Sequence, residues 1–391
     1  MTHSRIAAVV LACSSFLLPA LASAQRTGPN VPEFDVRPGF KVTLAASDIG
    51  ETRFIEFGDN GVLYLSQPGN GSIRTLIDKD GDGVYETKTN FLTDKPTIHG
   101  MCWHDGWLYW GQTGFLGRSR DTNGDGVADE TEVLAEFPQL GNKPRGHWWR
   151  SVLVTDDAIY TSVGDSGNIT ENDNEERQKI WKYTPDGKSR TLFATGIRNT
   201  EKLRMRPGTT EIYGCDHGSD WWGGPWGDKQ GRQPITDNYP PEEFNLYVEG
   251  GFYGHPFVTG NKLPRIEFSK RDDIMELADR TIIPAWSSHA HWANNGFNFT
   301  SKDYFPGMKG DAVIAFHGSW NSKERVGYKV QRILFDSYTG KPYGSQTIVD
   351  CLGGPDKQRV LARPCDVAEA LDGTLLFTDD QGGRIFRISK E

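Results

Sequence analysis

The sequence predicts an all-β protein built as a six-bladed β-propeller, and three observations carry that reading: composition, one hairpin pattern that recurs six times, and the spacing between its copies. The 391 residues include 45 Gly and 21 Pro, with 12% aromatic and 24% charged residues. Such a chain is too aromatic for disorder and too glycine-rich for a helical bundle. Each copy of the pattern is an apolar alternating strand, a turn often containing Asp-Gly, and a second strand often marked by Leu-Tyr or Ile-Tyr. The copies run Phe54–Tyr64, Met101–Tyr109, Val152–Tyr160, Leu203–Tyr213, a looser Phe297–Ile314, and Val367–Leu376. Period-two apolar residues on both sides of a turn that tolerates positive φ signal a hairpin. Steps of about 45, 51, 53, 101 and 62 residues between Tyr64, Tyr109, Tyr160, Tyr213, Ile314 and Leu376 are too long for a solenoid and suit four-stranded blades. Sandwiches also use such hairpins, but six equivalent ones favour radial repetition. The long step places an insertion in blade four, around 221–280.

At the start, Arg5 precedes the apolar run Ile6–Leu21, and Ala22-Ser23-Ala24 offers small residues for cleavage. This reads as a secretory signal over residues 1–24, cut before Gln25 and leaving one propeller domain, 25–391, in the periplasm or outside the cell. Lipidation at Cys13 fits less well, because the apolar core continues past it. No later window is long and apolar enough to span a bilayer. Of the mature cysteines Cys102, Cys215, Cys351 and Cys365, the last two are close enough in sequence to close a short loop; three connectivities are open, as are free thiols. A net charge of -9 and a pI near 5.6 argue against sequence-independent nucleic-acid binding.

In a propeller the residues that begin each first strand and those that end each second strand meet around one mouth of the axis. The strand starts are Arg53, His99, His147, Arg198 with Asn199, His289 or His291, and Arg363. The strand ends are Gln67, Gln112, Asp165, Asp216 with His217, His317, and Asp379 with Asp380. Cations and imidazoles facing hydrogen-bonding and acid/base side chains suit a multi-carboxylate ligand held beside a polar substrate. Trp148, Trp149, Trp221, Trp222, Trp226, Trp286, Trp292 and Trp320 fall in or next to these segments. They can stack on a sugar or a conjugated cofactor, or pack between blades.

With these residues assembled, the chain from about Pro38 to Ile388 resembles the pyrroloquinoline quinone (PQQ)-dependent soluble glucose/sorbosone dehydrogenases. The marks are Gly196–Asn199, His147 followed by Tyr160–Asp165, Glu243–Pro256, Ala315–Asn321 followed by Gly327–Val330, and Arg363–Val367 followed by Asp379–Arg384. The resemblance implies that His147 is the general base for the sugar hydroxyl and that Asp165 is the acid orienting it. It implies further that Arg198 and Asn199 contact the quinone oxygens, that Arg363 clamps a cofactor carboxylate, and that Gly218 and Ser219 offer carbonyls to a bridging calcium ion. His317 is the nearest match for a cofactor lysine, and His99 joins the cofactor-binding candidates by its place in the ring. The chain departs from the family at Cys365, where a second clamp arginine is usual, at Thr200-Glu201-Lys202 in place of Pro-Gln-Gly, and at His255 in place of Trp.

Two acidic loops repeat carboxylate or amide oxygens at positions one, three, five and nine. They comprise Asp78, Asp80, Asp82 and Glu86, and Asp121, Asn123, Asp125 and Asp129, with Glu132 at position twelve of the second and Thr89 there in the first. This spacing can wrap calcium, more weakly in the first loop, or form plain Asp-Gly turns. The expectation is a PQQ- and calcium-dependent enzyme oxidising an aldose or related sugar aldehyde, with electrons leaving to a separate acceptor because no cytochrome attachment motif is present. The alternatives are a calcium-dependent sugar lactonase and a secreted propeller that binds glycan or protein without catalysis.

Overall fold

The structure is a computed structural model that describes residues 31–137, 140, 146–171, 174–223 and 233–391. The signal expected at 1–24 and Trp226 lie outside the described residues.

Six antiparallel sheets form the blades. From the axis outward, blade 1 is Ile55–Phe57, Leu63–Gln67, Ser72–Ile77, Thr87–Leu92, and blade 2 is Met101–His104, Trp107–Gly111, Phe115–Arg120, Glu130–Glu136. Blade 3 begins with Leu153–Val154, Ile159–Val163, Lys179–Tyr183, Arg190–Thr195, and blade 4 is Thr200–Met205, Ile212–Asp216, Glu242–Tyr247, Trp286–Ser288. Blade 5 begins with Asn294–Phe299, Ala312–Phe316, Lys329–Phe335, Pro342–Asp350, and blade 6 is Pro364–Glu369, Leu375–Asp379, Arg384–Lys390, Phe40–Ala46. Each of the six hairpins read from the sequence is the inner pair of one blade. The innermost strands touch in cyclic order, with blade 6 closing on blade 1. The turn in blade 2 shows why Asp-Gly recurs: Asp105 and Gly106 both hold positive φ, at 47° and 76°.

Second strands pack between neighbouring blades on both faces, so they are apolar along most of their length rather than alternating. Leu63–Gln67, Ile159–Val163, Ile212–Asp216, Ala312–Phe316 and Leu375–Asp379 are buried throughout. The outermost Glu130–Glu136 has no buried residue. Ring closure uses the beginning of the described chain twice. Asp35–Val36 pairs with Asp350 and Val349 at the rim of blade 5, and Phe40–Ala46 completes blade 6 against Arg384–Lys390. The long step in blade 4 comes from connections on both sides of its third strand. They carry a short helix Ile235–Asn238, a strand Gly251–Phe252 added in parallel to blade 3, a ribbon Val258–Thr259 with Leu263–Pro264, and a helix Ile274–Arg280.

Buried ion pairs cross the axis. Lys202 of blade 4 holds both carboxylate oxygens of Asp366 of blade 6 at 2.7 and 2.6 Å, and Asp366 also accepts the Ile55 amide of blade 1. Arg204 pairs with Glu56 of blade 1 one step further along. The four described cysteines are free and buried. The loop that Cys351 and Cys365 could have closed is not made, because Cys351 packs with Ile348 and Phe377 while Cys365 packs with Phe54 and Met101, in separate apolar clusters.

Candidate active site

Strand starts and second-strand ends do converge at one mouth. Arg53 of blade 1 stands at its centre, donating to Asp380 of blade 6 at 2.9 Å and to Glu201 of blade 4 at 3.1 Å. Asp380 also holds His317 of blade 5 at 2.6 Å. Trp149 covers the Arg53 guanidinium at 4.5 Å and stacks on Trp148. Burial raises the Glu201 carboxyl, with Arg53 and Asn199 opposing it, and burial lowers His317 to about 4. His317, Cys365 and Asp380 are spaced closely enough to ligate a metal, but the Arg53 guanidinium already places a cation against that carboxylate. His99 is fully buried between Phe54 and Trp149, with its Nε2 3.6 Å from Glu201. It supports the floor of the mouth and does not front it, contrary to its expected place among cofactor contacts.

On the blade 3 side, the Nδ1 of His147 lies 3.2 Å from the main-chain carbonyl of Asp165. A carbonyl can only accept, so Nδ1 carries the proton and the Nε2 lone pair is left available. Burial, then the charge of Arg198 and the neighbouring His217, pull His147 well below its ordinary value and keep it neutral. The Asp165 carboxylate was expected on His147, but it is engaged elsewhere: Oδ2 holds His255 Nε2 at 2.7 Å and the Thr170 amide at 2.8 Å, and Oδ1 holds the Gly167 amide. Asp165 therefore orients His147 through its backbone. His255, 90 residues further along, takes the carboxylate.

Arg198 is fully enclosed. Its guanidinium donates to the Asn168 carbonyl and Oδ1, to the Gly218 carbonyl at 2.8 Å, and to Asp220. The Gly218 oxygen expected on calcium thus faces a guanidinium, and the Ser219 hydroxyl bridges Arg265 and the Trp221 carbonyl. Asn199 donates to Glu201 and His217, while Asp216 accepts the amides of Arg198 and Asn199. Burial raises Asp216 to about 6 and both Glu242 and Glu243 to about 7. His217 is lowered to about 3 by burial, and its Nε2 is buried without a partner.

Between blades 5 and 6 the mouth opens into a groove of about 930 Å³. Lys323, Arg325, Arg359 and Arg363 line it with Trp320 and Tyr328, and among the described residues no carboxylate side chain lines it. Arg363 is fixed by its amide on Asp379, and its Nε is buried without a partner. Gly318 explains the Gly-Ser-Trp motif. It holds φ at 90°, and a Cβ there would lie 2.3 Å from the Tyr328 ring that backs the groove.

Other rim positions are structural. Gln67 ties down the Ile49 and Glu51 carbonyls, Gln112 the Pro96 carbonyl, and Asp379 accepts Arg384. His291 contacts the Thr236 carbonyl and His289 the Ala290 carbonyl. Trp222 lies under Arg265, Trp292 under Lys329, and Trp286 packs in the outer strand of blade 4 with the Tyr213 cluster. The acidic loops join third to fourth strands, which puts them on the opposite face. In each, the leading Asp accepts the glycine amides at positions four and six, through Asp78 from Gly81 and Gly83 and through Asp121 from Gly124 and Gly126. Both loops close at position nine, where Glu86 and Asp129 accept the amides of Lys79 and Thr122. Glu132 was expected to complete the second loop, but it is on the fourth strand and pairs with Arg118. The Asp78, Asp80, Asp82 and Glu86 carboxylates instead converge in the first loop.

The TrAA12-like family model matches residues 34–391. The iodide structure of Trichoderma reesei Carbohydrate-Active Enzymes Family AA12 covers 94% of this chain and 100% of its own, with a TM-score of 0.79 and 18% identity. The holo PQQ domain of pyranose dehydrogenase from Coprinopsis cinerea covers 93% and 98% at a TM-score of 0.77 and 18% identity. The apo-form of the soluble aldose sugar dehydrogenase of Escherichia coli covers 90% and 100% at 0.61 and 16%. An uncharacterized protein of Borreliella burgdorferi is 31% identical over 263 residues, 66% of this chain, and the chain spans 64% of that relative's length.

Proposed function

The chain belongs to the TrAA12-like family, and on that premise we propose that it is a PQQ-dependent dehydrogenase oxidising an aldose or related sugar aldehyde, secreted or periplasmic and passing electrons to a separate acceptor. The observation that carries the reading is an imidazole whose Nδ1 is held by a carbonyl, which leaves the Nε2 lone pair of His147 free near Arg198, in a mouth where the Arg363 guanidinium faces His317.

The residues present fit a polycarboxylate quinone. Arg363 presents an unpartnered buried Nε beside the groove, and a guanidinium suits a carboxylate clamp. Cys365 supplies no second clamp, which leaves the clamp to Arg363. When bound, the quinone would supply the hydride acceptor. His147 takes the proton from the sugar hydroxyl at Nε2, and the Asp165 carbonyl on Nδ1 stabilises the imidazolium that forms. Arg198 and His217 border this point; Asn199 donates to the His217 Nδ1, so the His217 Nε2 carries the proton, and Trp149 stacks on Trp148 nearby. The Gly218 oxygen already accepts from the Arg198 guanidinium, which sets a positive charge against a calcium ion there, and no step runs through one. Arg53 between Glu201 and Asp380 likewise opposes the axial metal that a lactonase would need.

The test reconstitutes the purified protein with PQQ and follows dye reduction over a panel of sugars. Quinone binding with dye reduction supports the reading. Absence of both favours the glycan binder, and hydrolysis of a sugar lactone favours the lactonase.

A further inference from the structure

Four groove side chains carry cations, in a chain with 52 Asp and Glu against 43 Lys and Arg. Neutral sugars present hydroxyls that need acceptors as well as donors, and protein carboxylates commonly supply them. Among the described residues the charged lining groups are all cations, and Ser319, Ser322, Gln358 and Gln381 supply the neutral acceptors, so the groove's charge favours a ligand that carries anions as well as hydroxyls. Asp380 is engaged with His317 and Arg53, Asp237 with the Lys323 amide and Gln233, and Asp356 with the Gln358 amide, while Glu324, between Lys323 and Arg325, is exposed and does not line the groove. Arg325 is held in place by Gln358, which accepts its main-chain amide and its Nη1.

Two further features point to a sugar among anions. Trp320 is 71% exposed at the wall of the groove, a costly position for an indole without an occupant and one suited to stacking on a pyranose face. Its loop is braced rather than loose: Tyr328 donates to the Ser319 carbonyl, and Asn321 donates to the Asp220 carbonyl of blade 4. At about 930 Å³ the groove lies at the upper end of single-ligand sites, larger than a monosaccharide beside Arg363 requires.

We propose that this groove binds a uronate-bearing oligosaccharide, with its carboxylates on Lys323, Arg325 and Arg359 and one ring face on Trp320. The inference names a substrate class for the proposed dehydrogenase and rests on that reading for the fate of the bound sugar, though not for binding itself.

The experiment titrates the full-length mature protein, without quinone, with trigalacturonate and with maltotriose, following heat and tryptophan fluorescence. The acidic trimer is expected to bind about tenfold or more tighter than the neutral one and to weaken as salt rises. The double variant Lys323→Glu/Arg359→Glu is expected to lose about tenfold in trimer affinity with an unchanged melting temperature, since both side chains are exposed. Trp320→Ala is expected to weaken the trimer and remove its fluorescence change. Equal affinity for the two trimers, or indifference to charge reversal, overturns the proposal, and so does competitive displacement of trigalacturonate by PQQ, which would make the groove the cofactor's own. Dye reduction on neutral aldoses by the reconstituted enzyme tests the dehydrogenase reading separately.

Discussion

His255 Nε2 stands 2.7 Å from the carboxylate of Asp165, whereas His147 meets the same residue at its main-chain carbonyl. Removing the charge of Asp165 should therefore leave His147 oriented. His147→Ala is expected to lower kcat by about 10² to 10⁴ while PQQ stays bound, and Asp165→Asn by about tenfold. Steady-state kinetics beside a quinone-binding titration check both. An Asp165→Asn loss as deep as that of His147→Ala would restore the carboxylate to the orienting role.

Neutral His147 has a pH consequence. Burial, Arg198 and His217 depress its pKa well below 6.5, so the base form, active above that pKa, persists into acid. The acid limb of kcat/KM is expected well below pH 6.5. A limb centred near 6.5 would mean that the imidazole is as solvated as in a free peptide.

How much of this was legible in the sequence follows from how local each signal is. Every blade's inner pair is a hairpin, so Phe54–Tyr64 and its five counterparts declare themselves within a few residues, and closure follows from their number. The mouth was legible for the same reason: Arg53 leads into a first strand while His317 and Asp380 follow second strands, and the repeat brings both kinds of position to the same face. Partner choice was not legible. His255 reaches Asp165 from the connection after the third strand of blade 4, with no repeat position to mark it, and Lys323 and Arg359 share a groove only because blades 5 and 6 are neighbours. Position counting also misled where a strand began early, since Glu132 fits a twelve-residue loop by spacing but pairs across the sheet with Arg118.

Cys365 is fully buried beside Arg53, with Asn295 donating to its sulfur. Restoring an arginine there should not rebuild a clamp. It would bury a second guanidinium against the first, and Cys365→Arg is expected to cost about 3 kcal/mol or more, lowering Tm by about 4 °C or more. A thermal melt equal to that of the parent would show that the mouth has room for the larger cation.

The two acidic loops have the same wrap and both close at position nine. Calorimetric titration of chelator-treated protein is expected to show two comparable calcium sites with Kd of about 10⁻⁴ to 10⁻³ M, one removed by Asp78→Asn and the other by Asp121→Asn. Glu132→Gln should change neither. No uptake would make both loops plain turns, and loss of the second site on Glu132→Gln would return the ligand set to twelve residues.

Lys202 and Asp366 are both buried, and burial drives each toward its neutral form while the partner opposes it. The pair joins blade 4 to blade 6 across the axis, so leaving one charge unmatched should loosen the ring. Lys202→Met alone is expected to destabilise by about 3 to 5 kcal/mol, whereas Lys202→Met with Asp366→Leu should recover most of that loss, because two apolar groups carry no desolvation cost. Asp366 also accepts the Ile55 amide, so recovery should stop short of the parent by about 1 kcal/mol or more. Denaturant unfolding of the parent, the two single variants and the double variant measures the coupling. Additive effects of the two substitutions would show that the charges stabilise the ring separately and not as a pair.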